Sequence, residues 1–457
     1  MKGKYLYIFL FSLIVLLGAC GCEKPQGPDC NEPVEEADWS LVTSSVPVTD
    51  DWIWSGKPQI TLHIENTNKC AVKVGVIVRI STDTKQAVTE ISDSVSIAGS
   101  GKVDYIATTT EDLAPGFYRA VCFVNGKNIR GFYFGIDPFD IVSEPDMQPD
   151  FTDFWQAAKD QLAAVDMNAV LTEIEDHSSA TRKVYLVEMN SVPDGLDGEP
   201  VKIRGYYCEP QDGQKHPVLM HFYGYDTQGS KAKCDCPSGG NSEYAEFYLS
   251  HRGQYLNNRP ASTKNPGMTE DAVNIYGDWF AYNFGDKDSY YYRGAFMDVV
   301  QAVRFMATRE SSDMTHLFAE GSSQGGALSY ACAALSDYPF TAIAPNVAFL
   351  GDYPDYFQIV GWPAETAKAE AKKKGMTDEE MYAFLSYFDT KNLATRIHCA
   401  VLGTSGLQDG TCPPHTNIAP YNLIQNPDKE YHFYPEMQHE YPKNWWSMIG
   451  NFWKKFQ

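Results

Sequence analysis

A five-residue turn constrains this chain more than any other feature. Gly321-Ser322-Ser323-Gln324-Gly325 follows a short apolar run at 317–320 that reads as a strand, and the small residues opening at Gly325 read as a helix. A serine between two glycines at a strand-to-helix reversal is a nucleophile elbow, G-x-S-x-G, in which the glycines permit the sharp turn and the hydroxyl is left exposed. The pentapeptide alone is common by chance, and its place between strand and helix gives it mechanical meaning. A chain that uses it has to build a sheet with helices packed on its faces.

The surrounding sequence agrees. Residues 154–162 and 294–306 carry apolar side chains every three or four positions, as amphipathic helices do, while 218–222 reads as a buried strand. Alternation of this kind predicts an α/β fold, a mainly parallel sheet flanked by helices, over 137–457. The stretch from Asp137-Pro138 to Pro149-Asp150 has three prolines and little periodicity, and marks a domain boundary. Before it, 36–136 changes to short alternating runs such as 59–64 and 72–78, with further strands at 95–97 and 118–123. Asn125-Gly126 ahead of 129–134 is a hairpin turn signal. This region is expected to form a small all-β, immunoglobulin-like sandwich, with Cys70 and Cys122 as candidates to bridge its sheets. At 457 residues the chain is long enough for both domains.

The N-terminus points to export. Lys2 and Lys4 precede an apolar stretch at 5–17, too short to span a bilayer comfortably, and Leu17-Gly18-Ala19-Cys20 follows. Small residues ahead of a cysteine in that position resemble a bacterial lipobox, so 1–19 reads as a lipoprotein signal peptide with Cys20 the lipidated residue. Residues 20–35, rich in Pro, Gly, Glu and Asp, read as a flexible tether. The expected location is the cell envelope, lipid-anchored, facing periplasm or exterior. Gly21 rather than Asp after the cysteine favours an outer membrane. The formal charge of -22 repels phosphate backbones, which excludes nucleic acid as a partner. Cys234-Asp235-Cys236 lacks the second pair or spaced histidines that a metal site needs and reads as a loop disulfide or as free thiols.

A serine hydroxyl becomes nucleophilic when an imidazole takes its proton and a carboxylate holds that imidazole in place. Three histidines follow Ser323 at usable positions: His415 on what reads as a helix, His432 inside an alternating strand, and His439 in a loop between a strand end and a Trp-rich closing helix. The last position suits a base. Asp409 follows the apolar run 399–402 and a glycine-bounded turn, just past a predicted strand end. Asp337, Asp352, Asp355, Asp378, Asp389 and Asp428 lack that placement together with a short path to a loop histidine. The plainer reading of Asp409 is a turn aspartate capping Gly410.

With these residues assembled, the chain resembles the acetyl xylan esterase and cephalosporin C deacetylase group, carbohydrate esterase family seven, of the α/β-hydrolase superfamily. The hallmarks R-G-Q, G-x-S-Q-G and H-E appear as Arg252-Gly253-Gln254, Gly321-Ser322-Ser323-Gln324-Gly325 and His439-Glu440. The segments 387–394 and 406–414, and Tyr290-Tyr291-Tyr292-Arg293, are similar as well. The resemblance runs from about Pro149 to the C-terminus. It implies an α/β-hydrolase fold, a Ser323–Asp409–His439 triad and an oxyanion hole made by the backbone amides of Tyr225 and Gln324. Arg252, Gln254 and Glu440 would be supporting residues, in structure or in contact with substrate. The family usually assembles as a closed hexamer, which an added N-terminal domain and a lipid tether would obstruct, so the sequence leaves open whether this chain is an oligomer. The chain departs from the pattern at Tyr223, where the family has His, at Ser250, where it has Asp, and at Tyr255, where it has Gly. Residues 231–245 look like an insertion near the entrance.

The expected function is serine ester hydrolysis through an acetyl-serine intermediate, acting on acetylated xylan, xylo-oligosaccharides or other small acetyl esters, a chemistry that requires neither organic cofactor nor metal. Two alternatives stand beside it. One is a serine peptidase of the prolyl oligopeptidase type, which shares the elbow and the order of the triad. The other is a glycan-binding surface lipoprotein on a decayed hydrolase fold.

Overall fold

Side chains alternate between core and solvent along the N-terminal strands: Val72, Val74, Val76, Val78 and Ile80 are buried while Lys73, Gly75 and Arg79 are exposed. The period of two commits each strand to one wall of a two-sheet core. The structure, a computed structural model, describes Cys30 and residues 41–47, 49–194, 198–228, 232–237, 243–256 and 274–457. The signal peptide, Cys20 and, Cys30 apart, the tether lie outside the described residues, as do parts of the insertion at 231–245.

Among the described residues eight strands precede the boundary: β1 Leu41–Pro47, β2 Ile53–Trp54, β3 Gln59–Asn66, β4 Val72–Thr82, β5 Ala87–Ile97, β6 Lys102–Thr108, β7 Gly116–Val124 and β8 Lys127–Ile136. They form a sheet in the order β1-β3-β6 and another in the order β2-β8-β7-β4-β5, the arrangement of an immunoglobulin-like sandwich. Ile60, Leu62 and Ile64 of one sheet share a buried cluster with Val74, Val76 and Val78 of the other. A bridge between Cys70 and Cys122 does not form. Cys122 pairs across the sheet with Val78, well along β4 from Cys70 and out of disulfide reach. Cys70 is bonded instead to Cys30, while Cys122 and Cys234 are free buried thiols and the buried Cys236 thiol, which forms no disulfide with Cys234, lies 3.1 Å from His177 Nδ1.

The rest of the chain comprises α1 Phe151–Ala164, β9 Val170–Glu173, β10 Arg182–Ser191, β11 Val201–Pro210, β12 His216–Phe222, β13 Ala245–Ser250, α2 Tyr291–Ala307, β14 Ser312–Ser322, α3 Gln324–Leu335 and β15 Ala342–Asn346. Then come α4 Tyr353–Ile359, α5 Ala364–Lys374, α6 Asp378–Leu385, α7 Thr390–Ala394, β16 Ala400–Gly406, α8 Pro414–Leu423, β17 Lys429–Tyr434 and α9 Trp445–Trp453. One nine-stranded sheet runs β17-β16-β15-β14-β12-β13-β11-β10-β9. Every pairing from β13 to β17 is parallel and those from β13 to β9 are antiparallel. Helix α2 is buried on almost every side, and α9 closes the structure with Trp445, Ile449, Phe452 and Trp453 against the sheet. This is the α/β-hydrolase architecture. Parallel strands end on one edge, so β14, β16 and β17 deliver the segments that follow them to the same rim.

The sandwich is hydrogen-bonded to that rim. Gln408 Oε1 accepts from the Tyr133 amide at 3.0 Å, and its Nε2 donates to the carbonyls of Tyr133 (3.0 Å) and Pro435 (2.8 Å). Arg130 grips both oxygens of Glu436 at 2.7 and 2.8 Å. Gln408→Ala strips three main-chain groups of their partner at a half-buried seam. A loss of about 1 to 3 kcal/mol is expected, read as a lower urea midpoint with far-ultraviolet dichroism unchanged.

Candidate active site

The elbow is built by close approach. A Cβ at Gly321 would overlap the backbone of Gly325, and one at Gly325 would overlap the carbonyl of Phe222 on β12, so only glycine lets β14, β12 and α3 meet this tightly. The reversal puts Ser323 at φ 60, ψ -122, outside the regions an L-residue prefers, at a cost of about 1 to 3 kcal/mol. Neighbouring backbone holds it there: the Ser323 amide donates to the Asn346 carbonyl at 3.0 Å, and its carbonyl accepts from the Phe349 amide at 3.0 Å.

Around that serine the candidate triad converges. His439 Nε2 lies 2.9 Å from Ser323 Oγ and its Nδ1 lies 2.8 Å from Asp409 Oδ2. Asp409 is also a turn residue, since its Oδ1 accepts the amides of Thr411 (2.8 Å) and Cys412 (2.9 Å), one and two positions beyond Gly410. The carboxylate has no exposed surface, whereas the imidazole is 28% exposed and opens to the cleft. The other histidines are elsewhere. His432 is an exposed strand residue near Glu430, and His415 bonds Asp355 at 3.1 Å beside Asp83 and Asp352. Asp352, Asp355 and His415 are close enough to share a cation, but the Lys391 ammonium already sits 2.9 Å from Asp352. Of the other carboxylates, Asp389 is buried and caps α7, with burial first among the causes raising it to about 7.

Gln324 heads α3, where the first amides have no intrahelical acceptor and the helix dipole is positive. Its side chain is locked on both sides: Oε1 accepts from the Tyr292 hydroxyl and Nε2 donates to His251 Nε2, each at 2.9 Å. Because an amide nitrogen can only donate, His251 Nε2 must be the unprotonated nitrogen. Burial holds this imidazole well below the usual histidine range, at about 4. Tyr225 borders the cleft with Gly224, and a Cβ on Gly224 would lie 3.7 Å from that of Ser323. The Tyr225 hydroxyl donates to Asp278 at 2.6 Å, and its ring packs against Trp279 and Trp362 at centroid distances of 5.0 and 5.1 Å. The backbone on each side of the serine is thereby held still.

Arg252, Gln254 and Glu440 each make hydrogen bonds within the fold around the site. Arg252 is buried, donating to Asp298 at 2.9 and 2.8 Å and to the Val192 carbonyl at 3.0 Å. Gln254 donates to the carbonyl of Ala232, a residue of the cleft wall. Glu440 contributes its carbonyl, which accepts from Asn346 Nδ2 at 3.2 Å, while its side chain is exposed. The Tyr223 hydroxyl accepts the Asp235 amide at 3.1 Å and so ties residue 235 to the end of β12. Sequence reasoning missed two residues. His251 is one. Asn346 is the other, bonding Ser322 Oγ at 2.7 Å and Thr404 Oγ1 at 2.6 Å besides Glu440. It joins the elbow, β16 and the histidine loop, yet an Asn at a strand end carries no motif.

The cleft at Ser323 has a volume of about 630 Å3. Residues 141–456 match the family model for acetyl xylan esterase (AXE1). The acetyl esterase Axe7A of Xylanibacter ruminicola is 25% identical over 437 residues, 92% of this chain and 90% of that protein. Among solved structures, acetyl xylan esterase 1 from a Thermoanaerobacterium species is 25% identical with a TM-score of 0.54, covering 69% of this chain and 95% of its own. An acetyl xylan esterase from a Paenibacillus species is 27% identical with a TM-score of 0.56, covering 70% and 98%.

His251 generates a pH prediction. In the fold it stays neutral down to about pH 4, whereas in the unfolded chain it takes its proton near 6.5, so between those values only the unfolded state gains a proton. Its contribution to stability is intact above about 6.5 and is lost as pH falls toward 4. The advantage of wild type over His251→Gln in unfolding free energy should therefore shrink across that window, by up to about 1.4 kcal/mol per pH unit. Urea titrations at a series of pH values measure it, and a constant difference would contradict a neutral buried imidazole.

Proposed function

The chain belongs to the acetyl xylan esterase family, and from that premise we propose that Ser323, Asp409 and His439 are the catalytic triad of a serine esterase that deacetylates xylan, xylo-oligosaccharides or similar acetylated sugars. The reaction class, carboxylic ester hydrolysis by a serine acetyl esterase, follows from the family itself. The reading of the residues rests above all on one observation, an imidazole within 2.9 Å of the elbow hydroxyl and 2.8 Å of a buried carboxylate.

In the first half of the reaction His439 Nε2 takes the proton of Ser323 Oγ as the oxygen attacks the acetyl carbonyl, and Asp409 stabilises the imidazolium that forms. The carbonyl oxygen becomes an oxyanion facing the amides of Gln324 and Tyr225. Such donors act where charge develops, and each contributes roughly 3 to 4 kcal/mol to the barrier reduction. Collapse breaks the ester bond, and the sugar hydroxyl departs with the proton from His439. Water, deprotonated by the same imidazole, then attacks the acetyl-serine and releases acetate. The peptidase and decayed-binder alternatives are not favoured by the family assignment.

The same proposal places the enzyme in the cell envelope, tethered through lipid on Cys20 to the outer membrane. Support comes from the basic start, apolar run and small residues of 2–20 and from the Cys30–Cys70 disulfide, a bond that persists in oxidising compartments. Among the described residues no helix is long and apolar enough to cross a membrane.

Ser323→Ala should lower kcat on p-nitrophenyl acetate by roughly 10^4-fold or more with an unchanged melting temperature, and retention of wild-type turnover would refute the triad. Cys20→Ala should move the protein from the membrane to the soluble fraction of the producing cell. A variant that still sediments with membranes would count against the lipid anchor.

A further inference from the structure

Helix α9 carries two adjacent tryptophans with opposite fates. Trp445 is 2% exposed and packs into the core with Ile449, Phe452 and Trp453, whereas Trp446 is 63% exposed. Tyr441, two residues after His439, is 45% exposed. Large rings left partly in water forgo burial, and these two are not scattered over the surface. Both line the cleft that contains Ser323 and His439.

That cleft, at about 630 Å3, is far larger than an acetyl group, so most of its volume serves whatever the acetyl is attached to. Its remaining walls include the rings of Tyr223 and Tyr248, with Lys233, Asp235 and Glu440 as charged groups. Flat aromatic faces bordered by hydrogen-bonding side chains complement a pyranose, whose apolar C–H face can lie on a π cloud while its hydroxyls point to the rim.

The platform is also registered to the nucleophile. Trp445 Nε1 donates to Glu320 Oε2 at 3.2 Å, and the other oxygen of Glu320 bonds His221 Nδ1 at 2.7 Å. Glu320 immediately precedes the glycine that opens the elbow. The His221 ring stacks on Tyr248 at 4.1 Å and lies 6.3 Å from the ring of Trp446. The helix that carries the exposed tryptophan is therefore anchored through the adjacent Trp445 to Glu320 on β14, three residues before Ser323.

We propose that Trp446, flanked by Tyr441, is the stacking platform for the sugar ring bearing the scissile acetyl group, so that this cleft selects acetylated carbohydrate over small alkyl acetates. The inference rests on the esterase reading and adds to it the residue that confers sugar preference. Stacking holds the leaving group, which is present in the ground state as in the transition state, so its loss raises KM more than it lowers kcat.

The test compares acetylated xylobiose with ethyl acetate, which has no ring to stack, on wild type, Trp446→Ala and Trp446→Phe. In Trp446→Ala the ratio of kcat/KM on acetylated xylobiose to that on ethyl acetate should fall about tenfold, mainly through KM, and Trp446→Phe should recover most of it. An unchanged ratio, or equal losses on both substrates, overturns the proposal. Calorimetric binding of acetylated xylobiose to Ser323→Ala, with and without Trp446→Ala, separates the two readings because it requires no turnover. Equal affinities there defeat the platform even if the triad stands, and a weakened affinity supports it even if the triad does not.

Discussion

Everything at the site depends on how closely α3 can approach β12. The carbonyl of Phe222 occupies the space a side chain at Gly325 would need, and the backbone of Gly325 occupies the space a side chain at Gly321 would need. This contact forces the reversal that holds Ser323 at positive φ. A strained residue persists only where its surroundings over-determine it. Here the over-determination comes from the next strand, through the Asn346 carbonyl, and from the loop beyond, through the Phe349 amide. The same turn exposes the hydroxyl and aims the first amide of α3 at the space beside it.

The other two members reach the serine because neighbouring parallel strands end together, and side-chain bonds then fix their loops. Asp409 shapes its own turn with one oxygen and holds His439 with the other. Asn346 ties the elbow to β16 and to the residue after His439. The sandwich joins this scaffold through Gln408, which stands next to Asp409, and through Glu436, three residues before His439. It is thus part of the structure that supports the loops carrying Asp409 and His439.

Much was legible locally. The elbow, the order Ser, Asp, His and the alternating strands β3, β4, β7 and β8 announce themselves because each depends on residues within a few positions of one another. Strands β1, β2 and β6 and most of β5 went unread. At the ends of the sheets, β1, β6, β2 and β5 each pair on one side only; β2 is two residues long and β5 exposes much of its length, which leaves little of the apolar alternation that marks a strand in those two. The partner of Cys70 was also beyond reach, because a bridge depends on where two chain segments meet and not on spacing.

What the sequence by itself determined is the chemistry available: a serine at a turn that only glycines allow, an aspartate and a histidine after strands, and the architecture that brings strand ends together. What only the tertiary structure decided is which side chains hold them. His251, Asn346 and Gln408 act on residues about 70 or more positions away, or across a domain seam. Trp446 and Trp445 are indistinguishable as letters. A contact between distant segments depends on the path of the whole chain, and periodicity or a motif reports only on residues that are already neighbours.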